Sequence, residues 1–139
     1  MRIRSAKEAD FREAAELDCH IPPDRLAQCI AEGRVLVLSH SPAERVEGLL
    51  RYSLFWQTTP FLDLIFLREP YRRRGYGTAM MDLWEREMKR VGYHYVMTST
   101  QADEEAWRFY EKLGYRRVGG FLPPEQEAEE WLYLKNLKE

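Results

Sequence analysis

The sequence predicts an α/β fold built on a central mixed, mostly antiparallel sheet with helices on both faces. Three observations carry that reading. Short apolar runs of strand length alternate with amphipathic stretches of helical period. Strand–helix–strand passages in the second half demand at least one right-handed parallel crossover. Strand–turn–strand passages earlier and at the end imply antiparallel pairing. The chain of 139 residues, 45% hydrophobic and 32% charged, has no Gly/Ser linker or repeat to divide it, so residues 1–139 are read as one domain.

Residues 1–4 (MRIR) alternate as a first strand, and Ser5 with Glu8 forms an S-x-x-E capping box for a helix with Phe11, Ala14, Ala15 and Asp18 at helical spacing and Leu17 beside them. Pro22-Pro23 breaks that helix and opens a second, with the stripe Leu26, Cys29, Ile30 and a stop at Gly33. Arg34–Ser39 and Val46–Trp56 read as strands around a turn at Ser41-Pro42-Ala43-Glu44, and Phe61–Leu67 as a central strand. From Gly77 to Val91 the pattern is helical, with Met80, Leu83, Trp84, Met88 and Val91 on one face. Tyr93–Ser99 is a strand. Asp103 is the expected N-cap of a helix whose face is Ala106, Phe109, Tyr110 and Leu113, with Glu104 and Glu105 in its first turn. Tyr115–Phe121 and Trp131–Leu137 close the sheet.

Composition excludes several functions. The 21 basic against 23 acidic side chains leave a net charge of -2, with no global field to hold nucleic acid or an anionic membrane. No apolar run is long enough to span a bilayer, and the N-terminus lacks the apolar core of a signal peptide, which points to a cytoplasmic protein. Cys19 and Cys29 have no CxxC partner and no histidine at metal-ligand spacing. They read as two buried thiols, with no metal site. His20, His40 and His94 have no partner at useful spacing.

The most informative stretch runs from Leu67 to Thr78 (LREPYRRRGYGT), between a buried strand and a helix N-terminus. A helix start presents unpaired N–H groups and a partial positive charge, which together make an anion site. Gly75 and Gly77 let the backbone approach a ligand, and Arg72, Arg73 and Arg74 add donors suited to phosphate. Met80 stands where a dinucleotide fingerprint needs its third glycine, and no G-K-[ST] follows, so neither a Rossmann nor a Walker A site is indicated. Read alone, the stretch also suits an ordinary strand–turn–helix with a basic surface, and Tyr110 suits a core aromatic.

Two segments together narrow the reading. Arg72-Arg73-Arg74-Gly75-Tyr76-Gly77 matches a Q/R-x-x-G-x-G/A motif, and Ala106-Trp107-Arg108-Phe109-Tyr110-Glu111-Lys112-Leu113-Gly114-Tyr115 matches A-x-x-F/L-Y-x-x-x-G-F/Y. Ile3-Arg4-Ser5-Ala6 with Asp10 is similar to an I-R-x-A-x-x-x-D opening. On these residues the sequence resembles the GNAT family of acyl-CoA-dependent N-acetyltransferases over essentially its whole length. One position departs: many members carry Asn seven residues before the tyrosine, where this chain has Asp103.

The resemblance implies a GNAT-like fold and acetyl-CoA as cosubstrate. It implies that the pyrophosphate sits on the N–H groups of Arg73, Arg74, Gly75, Tyr76, Gly77 and Thr78, beside Arg72. It implies that the Leu67 backbone N–H serves the thioester carbonyl, with a peripheral contact at Asp103. A phenol with pKa near 10 is protonated at neutral pH, so Tyr110 is the candidate acid toward the leaving sulfur. The base is open between Asp63, Glu69 and water. Asp63 lies four residues before Leu67, and strict alternation would put both side chains on one face. The acceptor is a small-molecule or peptide amine, expected against the first helices and the Tyr52–Gln57 strand. A non-catalytic CoA-binding regulatory module is the competing reading. Phe55, Trp56 and Trp131, on strands expected near sheet edges, suggest a homodimer.

Overall fold

A computed structural model describes residues 1–40 and 45–138; the turn expected at 41–44 lies outside the described residues. The elements in chain order are β1 (Arg2–Ser5), α1 (Phe11–Leu17), α2 (Pro23–Ala31), β2 (Val35–His40), β3 (Arg45–Phe55), β4 (Thr59–Leu67), α3 (Tyr76–Arg90), β5 (Tyr95–Gln101), α4 (Ala106–Lys112), β6 (Arg116–Phe121) and β7 (Glu130–Asn136). The strands form one seven-stranded sheet in the order β1-β2-β3-β4-β5-β7-β6. The β4–β5 pair is parallel, and β1–β2, β2–β3, β5–β7 and β6–β7 are antiparallel, giving the mixed, mostly antiparallel sheet that the sequence predicts.

The chain packs as two compact units, Met1–Ser53 with Asp63–Trp84, and Leu54–Leu62 with Glu85–Glu139. In the first unit the β2–β3 register pairs Val35 with Arg51 and Val37 with Leu49. On that face Val35, Val37 and Leu49 join a buried cluster with Ala14 and Leu17 of α1 and Leu26, Cys29 and Ile30 of α2. The i, i+3, i+4 spacing of Leu26, Cys29 and Ile30 sets one flank of α2 inward. Fully burying such side chains stabilises by about 1.5–3 kcal/mol each. Leu36, Leu38, Gly48 and Leu50 belong to the opposite face, where Tyr52 packs its ring 5.6 Å from the fully buried Trp84 of α3. The β2–β3 part of the sheet is therefore covered on both sides.

In the second unit β7 lies between β5 and β6, with Thr98 opposite Tyr133. The rings of Tyr115 and Tyr133 lie 5.7 and 6.5 Å from that of Tyr110 on α4. Glu85 is buried here, accepting from Tyr115 Oη at 2.8 Å and from Lys135 Nζ at 2.7 Å, so this buried carboxylate has both a charge partner and a hydroxyl donor. The turn from β3 to β4 places Trp56 at φ 58° and Gln57 at φ 63°, and Thr58 N–H closes it on the Phe55 carbonyl at 3.1 Å. Two central residues with positive φ are the pattern of a type I′ hairpin turn, usually built from Asn and Gly.

Several local expectations are corrected. Ser5 ends β1 instead of capping a helix; the Asp10 carboxylate accepts from the Lys7 backbone N–H at 2.7 Å while Arg4 holds it from the side at 2.8 Å. Asp10 is the better anchor because a buried carboxylate gains from a guanidinium as well as an N–H. Cys29 is buried but Cys19 is exposed, beyond the end of α1. The helix after β5 begins at Ala106 with Glu105 as its N-cap, so Asp103 is not the cap and no acidic side chain lies in the first turn. Phe55 and Trp131 are not on edge strands: β3 lies between β2 and β4, β7 between β5 and β6, and the edges are β1 and β6.

Candidate active site

The turn from β4 into α3 is held by its own side chains. Arg72 Nε donates to the Leu67 carbonyl at 2.8 Å, and its guanidinium lies 5.1 Å from the centre of the Phe66 ring. Arg72 and Arg73 each reach Glu69, at 3.0 and 3.1 Å. Arg74 donates to the Pro70 carbonyl at 3.1 Å and lies over Tyr71 and Tyr76. The three arginines thus do not converge on a common point. Glu69 neutralises part of their charge, while the Arg73 and Arg74 side chains stay exposed.

Arg73 at φ 59° and Gly75 at φ 87° bend the chain sharply before the helix starts at Tyr76. Among the described residues, nothing beyond Gly75 itself and its chain neighbours lies within 4 Å of where a Cβ on Gly75 would stand, so the bend opens onto free space. The first N–H groups of α3, from Tyr76, Gly77 and Thr78, find no acceptor within the helix by its geometry. The fifteen-residue helix aims its positive dipole end at this turn. Open space, a glycine bend, helix N–H groups and guanidinium side chains within reach are donors that fit a pyrophosphate.

Tyr110 is buried on α4. Burial is the main influence on its phenol and raises its pKa to about 12; a hydrogen bond with Thr98 works the other way, and Glu104 adds a smaller push upward. Thr98 itself donates to the Leu62 carbonyl at 3.0 Å, which anchors β5 to β4 beside the parallel pairs Phe61–Met97 and Leu62–Thr98. The phenol is therefore protonated at neutral pH and can give a hydrogen bond.

A cleft of about 520 Å³ in the first unit is lined by Ile21, Pro22, Arg25, Gln28, Cys29, Arg34, Arg51, Ser53 and Asp63. Arg51 is buried and binds Asp18 at 2.6 Å and Asp63 at 3.5 Å. Asp18 is completely enclosed, whereas the Asp63 side chain keeps 25% of its surface in solvent. Burial pushes the Asp63 carboxyl above its ordinary value; a Ser53 hydrogen bond and the charges of Arg51 and Arg34 pull it back, and Asp18 pushes it up again.

The expectation that Asp63 and Leu67 share a face is overturned. Asp63 reaches Arg51, on the face that α1 and α2 cover, and Leu64 and Phe66 pack against that same cluster. Leu67 points the other way: a Cβ on Gly48, opposite Leu38, would lie 2.5 Å from Leu67 Cδ2. With Asp63 and Leu64 both turned to one side, the period-two pattern breaks between them. Glu69 is an exposed partner of two arginines, and Asp103 is exposed in the turn before α4.

Sequence reasoning missed Arg51, Asp18 and Thr98. Arg51 had a signal, a lone cation inside the apolar strand run VEGLLRYSLF. Asp18 did not stand out at a helix end. Thr98 is a hydroxyl in a strand, whose role depends on which neighbour faces it. His20, expected to be unpartnered, has its ring Nδ1 3.7 Å from Asp18. Among the described residues no group of His, Cys, Asp and Glu is arranged to hold a metal ion, and no helix is long and apolar enough to cross a membrane.

The family model for acetyltransferases of the GNAT family matches residues 3–115, and the chain belongs to that family. Solved structures share the fold. Ard1 from Thermoplasma volcanium superposes with a TM-score of 0.84 at 20% identity, covering 99% of this chain and 98% of that one. The putative acetyltransferase yncA from Salmonella typhimurium, solved with acetyl-CoA, gives 0.84 at 16% identity, covering 100% and 95%. The ribosomal-protein-S18-alanine N-acetyltransferase from Escherichia coli gives 0.81 at 16% identity, covering 99% and 94%. No curated protein matches the sequence.

Proposed function

We propose that residues 1–139 work as one cytoplasmic N-acetyltransferase domain that moves an acetyl group from acetyl-CoA to the primary amine of a small molecule or peptide. The observation that carries this reading is the β4–α3 turn, where a glycine bend in open space meets helix N–H groups and three arginines. Family membership and a structural neighbour solved with acetyl-CoA support it.

In this reading the backbone N–H groups from Arg73 to Thr78 and the Arg72–Arg74 side chains hold the pyrophosphate, Arg73 and Arg74 by leaving their present local partners. The Leu67 N–H serves the thioester carbonyl, where a donor counts most as negative charge develops. Asp103 makes at most a peripheral contact. Acetyl-CoA, when bound, supplies the acyl group: a C–N bond forms, the C–S bond breaks, the amine loses a proton and the sulfur leaves as thiolate or thiol. Asp63, raised by burial but still partly open, is the group that takes a proton from the amine; Glu69, committed to two arginines, is the weaker choice. Tyr110 gives a hydrogen bond to the leaving sulfur. With a phenol at about 12 against a thiol near 8.5, complete proton transfer to a thiolate would run uphill by roughly 5 kcal/mol, so stabilisation by the bond itself is the dominant role.

The reading is tested by calorimetry with CoA and by following free thiol release across a panel of amines. Binding with no turnover on any amine would leave a CoA-binding module in its place. The same proposal includes a homodimer, for which Trp56, 80% exposed at a hairpin tip, is the support; light scattering at high protein concentration checks it.

A further inference from the structure

The cleft lined by Asp63 brings a carboxylate and three guanidinium groups into one lining. Its lining includes the Asp63 carboxylate and the side chains of Arg25, Arg34 and Arg51, of which Arg51 and Arg34 act electrostatically on Asp63. The three cations are not equivalent. Arg51 is committed to Asp18 and Asp63. Arg34 donates twice to Glu32, at 2.7 and 3.0 Å, and once to the Tyr52 carbonyl at 2.7 Å. Arg25 is exposed on α2, and among the described residues it has no ion pair. Thus the cleft combines one partly open carboxylate with one unpaired guanidinium. Around them are amide, hydroxyl and apolar groups from Gln28, Ser53, Ile21 and Cys29.

We propose that this cleft is the acceptor site and takes an amine that also carries a carboxylate, a free α-amino acid: its ammonium pairs with Asp63 and its carboxylate with Arg25. The volume, about 520 Å³, is in the range of small-ligand sites and exceeds what one amino acid needs. Guanidinium binds a carboxylate through two parallel hydrogen bonds, which fixes orientation as well as charge. The enclosed Arg51–Asp18 pair keeps Asp63 aimed into the cleft, and the Ser53 hydroxyl holds it from the side. An amine lacking the carboxylate would leave Arg25 unmatched. A peptide amide in its place offers no anion to the guanidinium.

This inference rests on the acetyltransferase reading for the identity of the reaction, so the test separates the two. Wild-type protein with acetyl-CoA is assayed for thiol release on matched sets: L-leucine, L-leucinamide and 3-methylbutylamine, repeated over the common amino acids. The expected result is a kcat/KM at least tenfold higher for some free amino acid than for its amide and its decarboxylated amine. In Arg25→Ala that acid-to-amide ratio should fall at least tenfold, and Arg25→Lys should restore part of it. Equal rates for acid and amide across the sets, or an unchanged ratio in Arg25→Ala, would overturn the inference while leaving the acetyltransferase reading intact. Saturation-transfer NMR with the free amino acids, with and without CoA, reads the cleft independently of turnover. A signal lost in Arg25→Ala supports the inference even where no acetyl transfer is seen, and no signal from any amino acid overturns it.

Discussion

Asp63 and Leu67 lie four residues apart on one strand, yet Asp63 joins Arg51 on the face under α1 and α2 while Leu67 packs toward Gly48 on the other. The strand thereby offers a carboxylate to one side of the sheet and a bulky apolar side chain to the other. The cost is a break in the regular alternation.

Arg51→Ala should destabilise the protein by roughly 3–5 kcal/mol. The change strands the enclosed Asp18 carboxylate without its cation, and an uncompensated buried charge is the expensive outcome. Urea unfolding checks it. Asp18→Asn/Arg51→Met together should cost much less than Arg51→Ala alone, because the orphaned charge disappears with its partner.

Gly48→Ala should destabilise by roughly 1–3 kcal/mol. The new Cβ would stand 2.5 Å from Leu67 Cδ2, 3.2 Å from the Phe66 carbonyl oxygen and 3.3 Å from Leu38 Cβ, so the end of β4 must shift. Because Leu67 and the turn beyond it are the proposed acyl-CoA contacts, affinity for CoA by calorimetry should weaken as well. Gly75→Val, at φ 87°, should weaken CoA binding further while leaving the circular dichroism spectrum largely intact.

Tyr110→Phe removes one oxygen and keeps the ring. Stability should change by about 1 kcal/mol for the lost hydroxyl, while single-turnover acetyl transfer should fall roughly 10²–10³-fold, the scale for losing one donor to developing negative charge. Near-normal single-turnover rates would reduce Tyr110 to a packing residue. Thr98→Val tests the neighbour: it unties the Leu62 carbonyl and the phenol together and should lower stability more than Tyr110→Phe does.

Alkaline pH should unfold the protein through its buried phenols. Tyr110 titrates near 10 when unfolded and about 12 when folded, so between these values the unfolded chain holds fewer protons and stability falls as pH rises. The loss from this one residue is on the order of 3 kcal/mol across that window. Burial pushes Tyr115 and Tyr133 in the same direction, aided by Glu85 and Glu111. Denaturant midpoints measured from pH 9 to 12 should drop steeply, and less steeply in Tyr110→Phe.

The hairpin tip offers a gain. Trp56→Asn/Gln57→Gly suits two positive-φ positions and should stabilise by about 1 kcal/mol, read as a higher denaturation midpoint. An unchanged or lower midpoint would mean that the Trp56 ring, 4.7 Å from Phe55, contributes more than its backbone costs.

The sequence by itself determined the elements and their order. Local rules were enough: apolar runs for strands, a 3.6 period for α2 and α3, paired prolines for the break before α2, and a two-glycine turn at a helix start. Those rules also made the Arg72–Thr78 turn stand out, by its glycines and arginines before a helix, whereas Tyr110 reads as a core aromatic until the resemblance to the GNAT family singles it out. Tertiary structure decided what depends on partners distant in sequence. Whether Asp63 faces Leu67 or Arg51 turned on one break in alternation, which no residue in the strand announces. Asp18 and Arg51, thirty-three residues apart, meet because α1 ends over β3. Asp10, not Ser5, anchors the first helix because Arg4 comes alongside. A side chain's role is set by the charge and solvent around it, and that environment exists only once the chain has folded.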